Sequence, residues 1–296
     1  IVGAGAIAHN ACKAIAAHGE AIVVAAHDPH AGRLADLATA YGIARQHVDA
    51  DAFFADDGID AIYIGVPNKF HAPLALRALQ AGKHVLLDKP FALNLAEAQE
   101  VADLAQAKGL TLMLGMNHRF RPESQRLRSL VTQGVLGEIY HAKAFWFRRS
   151  GIPKLGTWFG NKALAGGGAL LDIGVHLLDL CLFLSGKWDP VAVTGATYTK
   201  FGNRGLGEGK WGKSDKDPTM VFDVDDFASA LIRFADGSTV SLDVSWACHT
   251  GQPNANDVQL FGTEAGAAAY PDRLFRAPVD GETEYQVVTP VAAPQL

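Results

Sequence analysis

The chain has 296 residues, 49% of them apolar and 19% charged, with a formal net charge of −5. That length predicts two domains with sizeable cores, and the lack of any basic tract argues against nucleic acid or an anionic membrane as a partner. Three scattered cysteines, Cys12, Cys181 and Cys248, form no CxxC, so neither a disulfide scaffold nor a cysteine zinc site is expected, and a reducing cytoplasm is.

The first part of the chain alternates strands and helices. "IVGAGAIA" runs from a strand into a Gly-rich turn and a helix that Gly19 closes. "AIVVAAHD" is a second strand ending at Asp28, and its helix stops at Gly42. "DAIYIGVPN" and "HVLLD" follow as strands, with a helix between them that ends at Gly82. "NLAE" is a capping box opening a helix that runs to Gly109, and "LTLMLGMN" is the fifth strand. Apolar strands alternating with helices predict an α/β domain, a doubly wound parallel sheet covered on both faces, over residues 1–120.

From about Ile139 the pattern changes. After a helix in "FRPESQRLRSLVTQG", the stretches "IYHAKAFWFR", "VAVTGATYTK", "DFASALIRF", "STVSLDVSW" and "DVQLFG" read as longer strands, interrupted by one helix over 168–185. These predict an α+β second domain over 121–296, with an open and mostly antiparallel sheet. The apolar run "GALLDIGVHLLDLCLFLSG" is broken by Asp172, His176 and Asp179, which makes it a core helix and not a membrane span. Residues 201–218, rich in Gly and Lys, read as a long mobile loop, and "FDVDDF" as a cap on the sheet.

Ligands of a doubly wound sheet bind beyond the carboxyl ends of its strands. Five such ends here carry polar or glycine residues: Gly3 and Gly5, Asp28, Pro67-Asn68, Asp88-Lys89-Pro90, and Asn117-His118-Arg119. "GAGAIA" fits G-x-G-x-x-A, with Gly3 for the turn, Gly5 for close approach of a pyrophosphate, and the amides of Ala6 and Ile7 at the helix start. Asp28 stands where a ribose hydroxyl would lie, or caps a helix beginning at Pro29, or both. Its carboxylate favours NAD over NADP, while His30 and Arg33 keep NADP open.

"GGGALLDIGVHLLDL" places Asp172 and His176 at i, i+4, so they share a helix face, with Asp179 continuing it. A carboxylate one turn from an imidazole can orient it and stabilise its cation, as a general base for an alcohol requires. Glycines 166–168 would let a ligand approach the helix start. Two other readings of this pair stay open, a surface ion pair and, less favoured, a metal site.

These residues carry a family resemblance. "IVGAGAIA", "IDAIYIGVPNKFHAPLALRALQAGKHVLLDKP", "MNHRF" and "GGGALLDIGVHLLDL" resemble, in this order, the motifs of the Gfo/Idh/MocA oxidoreductases. The resemblance implies an N-terminal Rossmann domain, and a C-terminal sheet through which the chain forms a homodimer or homotetramer. It implies NAD as cofactor, with NADP possible, held by Gly3, Gly5, Ala6, Ile7, Asp28, Arg33, Pro67, Asn68, His71, Asp88, Lys89 and Asn117. Lys89, Asp172 and His176 match the catalytic residues. With Arg119 and Trp158 they are expected to meet a small sugar, anhydrosugar or polyol; Lys154, Asn161 and the 201–218 loop are expected near it.

In the implied reaction His176 takes a hydroxyl proton while hydride passes to the nicotinamide. Position 88 is Asp where the family usually has Glu. The chain begins inside a strand without Met, so residues are expected before Ile1, and about 50 more after Leu296. A non-catalytic nucleotide sensor and an NAD-dependent glycosidase remain as alternatives.

Overall fold

The computed structural model describes residues 1–210, 217, 219, 221–276 and the backbone of 286–288. Of the expected 201–218 loop, residues 211–216 and 218 lie outside the described residues. Within the rest of it, Gly202–Arg204 forms a single 3-10 turn.

The chain divides into two units. The first holds Ile1–Gly115 and also Gly156–Gly166, a segment that follows the second unit's first strand in chain order. Its elements are α1 (Ala6–His18), β1 (Ala25–His27), α2 (Ala31–Tyr41), β2 (Arg45–His47), α3 (Ala50–Phe54), β3 (Ala61–Ile64), α4 (His71–Gln80), β4 (His84–Leu87), α5 (Leu95–Lys108), β5 (Leu112–Leu114) and the short α7 (Lys162–Ala165).

All its strand pairs are parallel. Val2 bridges in parallel to both His27 and Ile64, so the order across the sheet is β2, β1, Val2, β3, β4, β5. The chain's first strand is thus central, and the sheet reverses its winding there, which is where a doubly wound sheet opens a crevice. Two apolar cores lie against it. One joins Ala8 and Cys12 of α1 to Leu34 and Leu37 of α2; the other joins Phe53 to Ala75 and Leu79 of α4 and Val101 of α5. Helix starts follow local chemistry: Asn94 accepts from the Glu97 amide (3.0 Å) while Glu97 reaches back to the Leu93 amide (3.1 Å).

The second unit contains α6 (Pro122–Thr132), β6 (Ile139–Arg148), α8 (Val175–Ser185), β7 (Pro190–Tyr198), β8 (Phe227–Phe234), β9 (Thr239–Ser245), β10 (Asn254–Gly262), β11 (Gly266–Ala269), β12 (Asp272–Arg276) and β13 (Gln286–Val288). The last three strands are short and carry no alternation long enough to be read from sequence. Among the described residues these strands form one eight-stranded sheet, ordered β13-β12-β11-β10-β6-β9-β8-β7. Every pair is antiparallel except β6 with β9.

Helix α8 packs on β6, β9 and β10 and buries Leu177, Leu180, Cys181 and Leu184. By length and composition the run through Ser185 could cross a bilayer; here its apolar side chains form the core of the unit. Along β6 alternate side chains share a face. Ala142, Ala144, Trp146 and Arg148 lie on the α8 side, whereas Phe145 and Phe147 stack on the opposite one (ring centroids 5.9 Å). That opposite face continues to Phe227 and Tyr198, and β7 is exposed along its whole length.

Candidate active site

In the first unit the cofactor loop starts at the central strand. The Val2 amide donates to the Tyr63 carbonyl (2.8 Å) and the Gly65 amide to the Val2 carbonyl (3.0 Å). Gly3 then turns with φ +91°, and a Cβ there would stand 2.4 Å from the Gly65 carbonyl oxygen. Only glycine fits. A Cβ on Gly5 would meet no atom within 4 Å, so open space faces it. α1 begins at the next residue with no side-chain cap and no acid in its first turn. A helix start left bare in this way offers amide donors and a partial positive charge to a diphosphate.

Asp28 is 8% exposed and takes the Ala4 amide on Oδ2 (2.8 Å) and the His30 amide on Oδ1 (2.8 Å). It ties the end of β1 to the glycine loop. It is not the helix cap: α2 starts at Ala31, and His30 caps it by accepting from the Arg33 amide (3.2 Å). These residues fit a dinucleotide, with Gly3, Gly5, Ala6 and Ile7 at its phosphates and Asp28 at a ribose.

Two residues expected at the cofactor have other partners. His71 is 1% exposed, with Nδ1 2.6 Å from the Pro90 carbonyl and Nε2 3.0 Å from that of Val66. It holds together the loops after β3 and β4. Burial outweighs both carbonyls, and the positive Lys89 adds to it, so the ring's pKa is lowered. Asn68 donates its amide to the Ala165 carbonyl (2.8 Å) and fastens α7. Asp88 accepts from the Lys89 amide (2.8 Å) and the Tyr63 hydroxyl (3.4 Å); burial first, then the Asp88 charge, raises the Tyr63 pKa. The shorter acid is therefore a fixed part of the loop that carries half-buried Lys89. Trp158 stacks on Phe159 (3.8 Å), and Asn161 caps α7. Asn117 is exposed.

In the second unit the helix predicted over 168–185 has two parts: a π turn, Leu170–Gly174, and then α8. The start is not open to a ligand, contrary to the reading of the glycines. Asp225 occupies it, accepting the Gly168 amide on Oδ1 (2.7 Å) and the Leu170 amide on Oδ2 (2.8 Å). Its neighbour Asp226 takes the amides of Lys200, Phe201 and Gly202. Two of the three acids of "FDVDDF", Asp225 and Asp226, thus cap backbone.

Asp172 lies in the π turn, 8% exposed, and its Oδ2 accepts from the Trp246 indole (2.8 Å). The Arg148 guanidinium is close enough to feel its charge, although burial is the larger effect and lowers the Arg148 pKa. His176, one turn on, stacks against His118 at 4.8 Å and 20°. Asp179 does not join them: it binds Arg119 through Nε (2.8 Å) and through Nη2. That bond raises the Arg119 pKa, and the residue expected at the substrate is a helix anchor. Lys154 pairs with Glu208 (3.5 Å).

Sequence reading missed Trp246, Arg148 and Tyr270. A signal existed for the first: a buried acid needs a donor, and Trp246 ends the inward-facing series Leu242, Val244 on β9. Trp246→Phe, which removes that donor and leaves a small cavity in place of the indole's second ring, is expected to lower kcat about tenfold with the cofactor KM unchanged, equivalent to ~1.4 kcal/mol. Steady-state kinetics checks it, and an unaltered kcat would detach Trp246 from Asp172's role.

Comparison with known proteins agrees with this architecture. Residues 1–116 match the model described as an oxidoreductase family with an NAD-binding Rossmann fold, and residues 124–268 match the GFO/IDH/MocA C-terminal domain. The chain belongs to the Gfo/Idh/MocA oxidoreductase family. Its relatives in this family include D-glucoside 3-dehydrogenase of Escherichia coli (strain K12), 34% identical over 278 residues, or 93% of this chain and 77% of the relative. Levoglucosan dehydrogenase of Pseudarthrobacter phenanthrenivorans is 29% identical over 78% of this chain and 60% of its own.

Among solved structures, GenD2 from gentamicin A biosynthesis in complex with NAD superposes with a TM-score of 0.78 at 31% identity, covering 92% of this chain and 70% of that one. Levoglucosan dehydrogenase in complex with NADH and levoglucosan shares the fold, with a TM-score of 0.83 at 23% identity over 98% of this chain and 79% of the other. As a Gfo/Idh/MocA protein the chain is an NAD-binding oxidoreductase.

Proposed function

We propose that the protein is an NAD-dependent dehydrogenase acting on a secondary alcohol of a glycoside, anhydrosugar or cyclitol. Similarity to D-glucoside 3-dehydrogenase and levoglucosan dehydrogenase supports the substrate class. The observation that carries the chemistry is His176, half-buried, one turn beyond an Asp172 fixed by an indole. Bound NAD supplies the hydride acceptor.

In this reading the chain's own residues manage the proton. His176 Nδ1 is buried, so Nε2 is the nitrogen that accepts the substrate hydroxyl proton. Asp172 holds the helix geometry and offsets the imidazolium charge through space. Lys89 supplies a cation to the oxygen on which negative charge develops. Asp28 recognises the ribose. Asp28→Ala is expected to weaken NADH binding about tenfold and to narrow the preference over NADPH, read by fluorescence titration of both. Unchanged NADH affinity would remove Asp28 from the ribose.

The outer face of the second unit's sheet, where Tyr198 and Leu231 are uncovered and lie on the same side as Phe227, is proposed to meet a second copy of the chain. Cysteines without disulfides, two of them buried, support a reducing compartment, the cytoplasm. The deciding experiment is NAD reduction against a panel of glycosides, anhydrosugars and polyols. Turnover with one member is expected, and none with any would overturn the substrate class.

A further inference from the structure

His118 is an imidazole that the reaction above does not use. It sits in the 3-10 turn Asn117–Phe120 and is 4% exposed. One face of its ring lies on His176, with centroids 4.8 Å apart. Trp146 is 5.9 Å away at a tilt, and Tyr270 meets it edge-on at 5.9 Å.

The two ring nitrogens have different partners. Nε2 is 3.3 Å from an Arg121 guanidinium nitrogen. A guanidinium only donates, so Nε2 presents its lone pair and carries no proton. Nδ1 is 3.2 Å from the Tyr270 hydroxyl. With Nε2 bare, the ring's one proton sits on Nδ1 and is donated to that oxygen. Tyr270 is itself held: its amide donates to Asp257 Oδ1 (2.9 Å), and the Arg121 guanidinium lies over its ring at 5.2 Å. Other charges stand on the surrounding elements: Lys143 of β6, Arg128 of α6 and Arg273 of β12 lie over the rings of Phe145, Phe183 and Phe275. Arg119 is bound to Asp179 of α8 and Arg126 of α6 to Asp272 of β12, while Arg148 of β6 lies beside Asp172. Glu123 of α6 acts on Tyr270, as Arg121 does.

We propose that His118 is a positioning residue for His176, kept by Arg121 as a neutral, Nδ1-protonated imidazole whose face supports the ring that moves the proton. A second cation at stacking distance would oppose proton uptake by His176. Arg121 prevents it by occupying the nitrogen that would otherwise accept a proton. The stack also fixes the plane of the base, and loss of alignment at a reacting group is costly in rate.

This rests on His176 as the base, and two readouts separate the claims. With nitrogen-15-labelled histidine in the whole protein, His118 is expected to show the Nδ1-H tautomer at every pH between about 5.5 and 8.5, whereas in Arg121→Met its signals titrate in that window. His118→Ala is expected to lower kcat about tenfold or more with the NAD KM unchanged, and His118→Phe, which keeps a flat ring, to recover most of the loss. A cationic or Nε2-H His118 in the wild type, or an undiminished kcat in His118→Ala, overturns the proposal. Undiminished turnover in His176→Ala would instead refute the assignment of the base, with the tautomer of His118 still decided by its own spectrum.

Discussion

His176→Ala is expected to lower kcat by about 10²- to 10⁴-fold, the range that a positioned general base contributes. The fold should survive, because His176 is only half-buried and lies beside the apolar stripe Leu177, Leu180, Cys181 and Leu184 that binds α8 to the sheet. NADH affinity should also survive, since the glycine loop and Asp28 belong to the first unit. Kinetics, a thermal melt and an NADH titration on the same preparation test all three expectations. A kcat within about threefold of wild type would remove the base from the proposed reaction.

Gly168→Ala is expected to be the most damaging small change. A Cβ at this position would stand 1.8 Å from the Asp225 carbonyl oxygen and 2.8 Å from its carbon, both of them backbone. The two segments must part. Parting them weakens the Ala169 amide bond to the Asp225 carbonyl (2.9 Å) and the two amide bonds to the Asp225 carboxylate. Three hydrogen bonds at about 1 kcal/mol each, with strain of about 1–3 kcal/mol, give a loss of roughly 4–6 kcal/mol and a melting temperature lower by about 10 °C or more. Because Asp172 lies one turn on, kcat should fall as well. Gly167→Ala is the control, since its Cβ would meet the flexible Leu171 side chain at 3.1 Å and Asp225 Oδ1 at an ordinary contact distance of 3.5 Å, with no backbone atom in the way, and should cost about 1 kcal/mol. Equal melting temperatures for the two variants would contradict the account.

The sequence disclosed the parts of this molecule that depend on local rules. Helix ends at Gly19, Gly42 and Gly109, the Asn94–Glu97 cap and the ten residues of β6 follow from propensity and alternation, and each was legible. What stayed hidden depends on partners far along the chain. Asp225 reaches Gly168 across 57 positions, and Trp246 reaches Asp172 across 74. His71 and Asn68 match a family motif, yet their bonds go to backbone carbonyls of neighbouring segments. Spacing can mark such residues as important without saying whether they hold a ligand or another loop. The same limit applied to Arg119: its place at a strand end suggested substrate, and only the fold brings Asp179 to it.

The alternation along β6 has a consequence for how the chain can change. Trp146, beside His118 and under Arg148, lies on the strand face that carries the proposed chemistry, between Phe145 and Phe147 on the opposite face. Substitution at any one of them alters one side of the sheet. Gain or loss of a single residue within the strand would exchange the two sides from that point on, placing phenylalanines against the base and a tryptophan and an arginine on the outer surface. Variation in length should therefore collect in the loops beyond the ends of β6, while the strand itself diverges only by replacement.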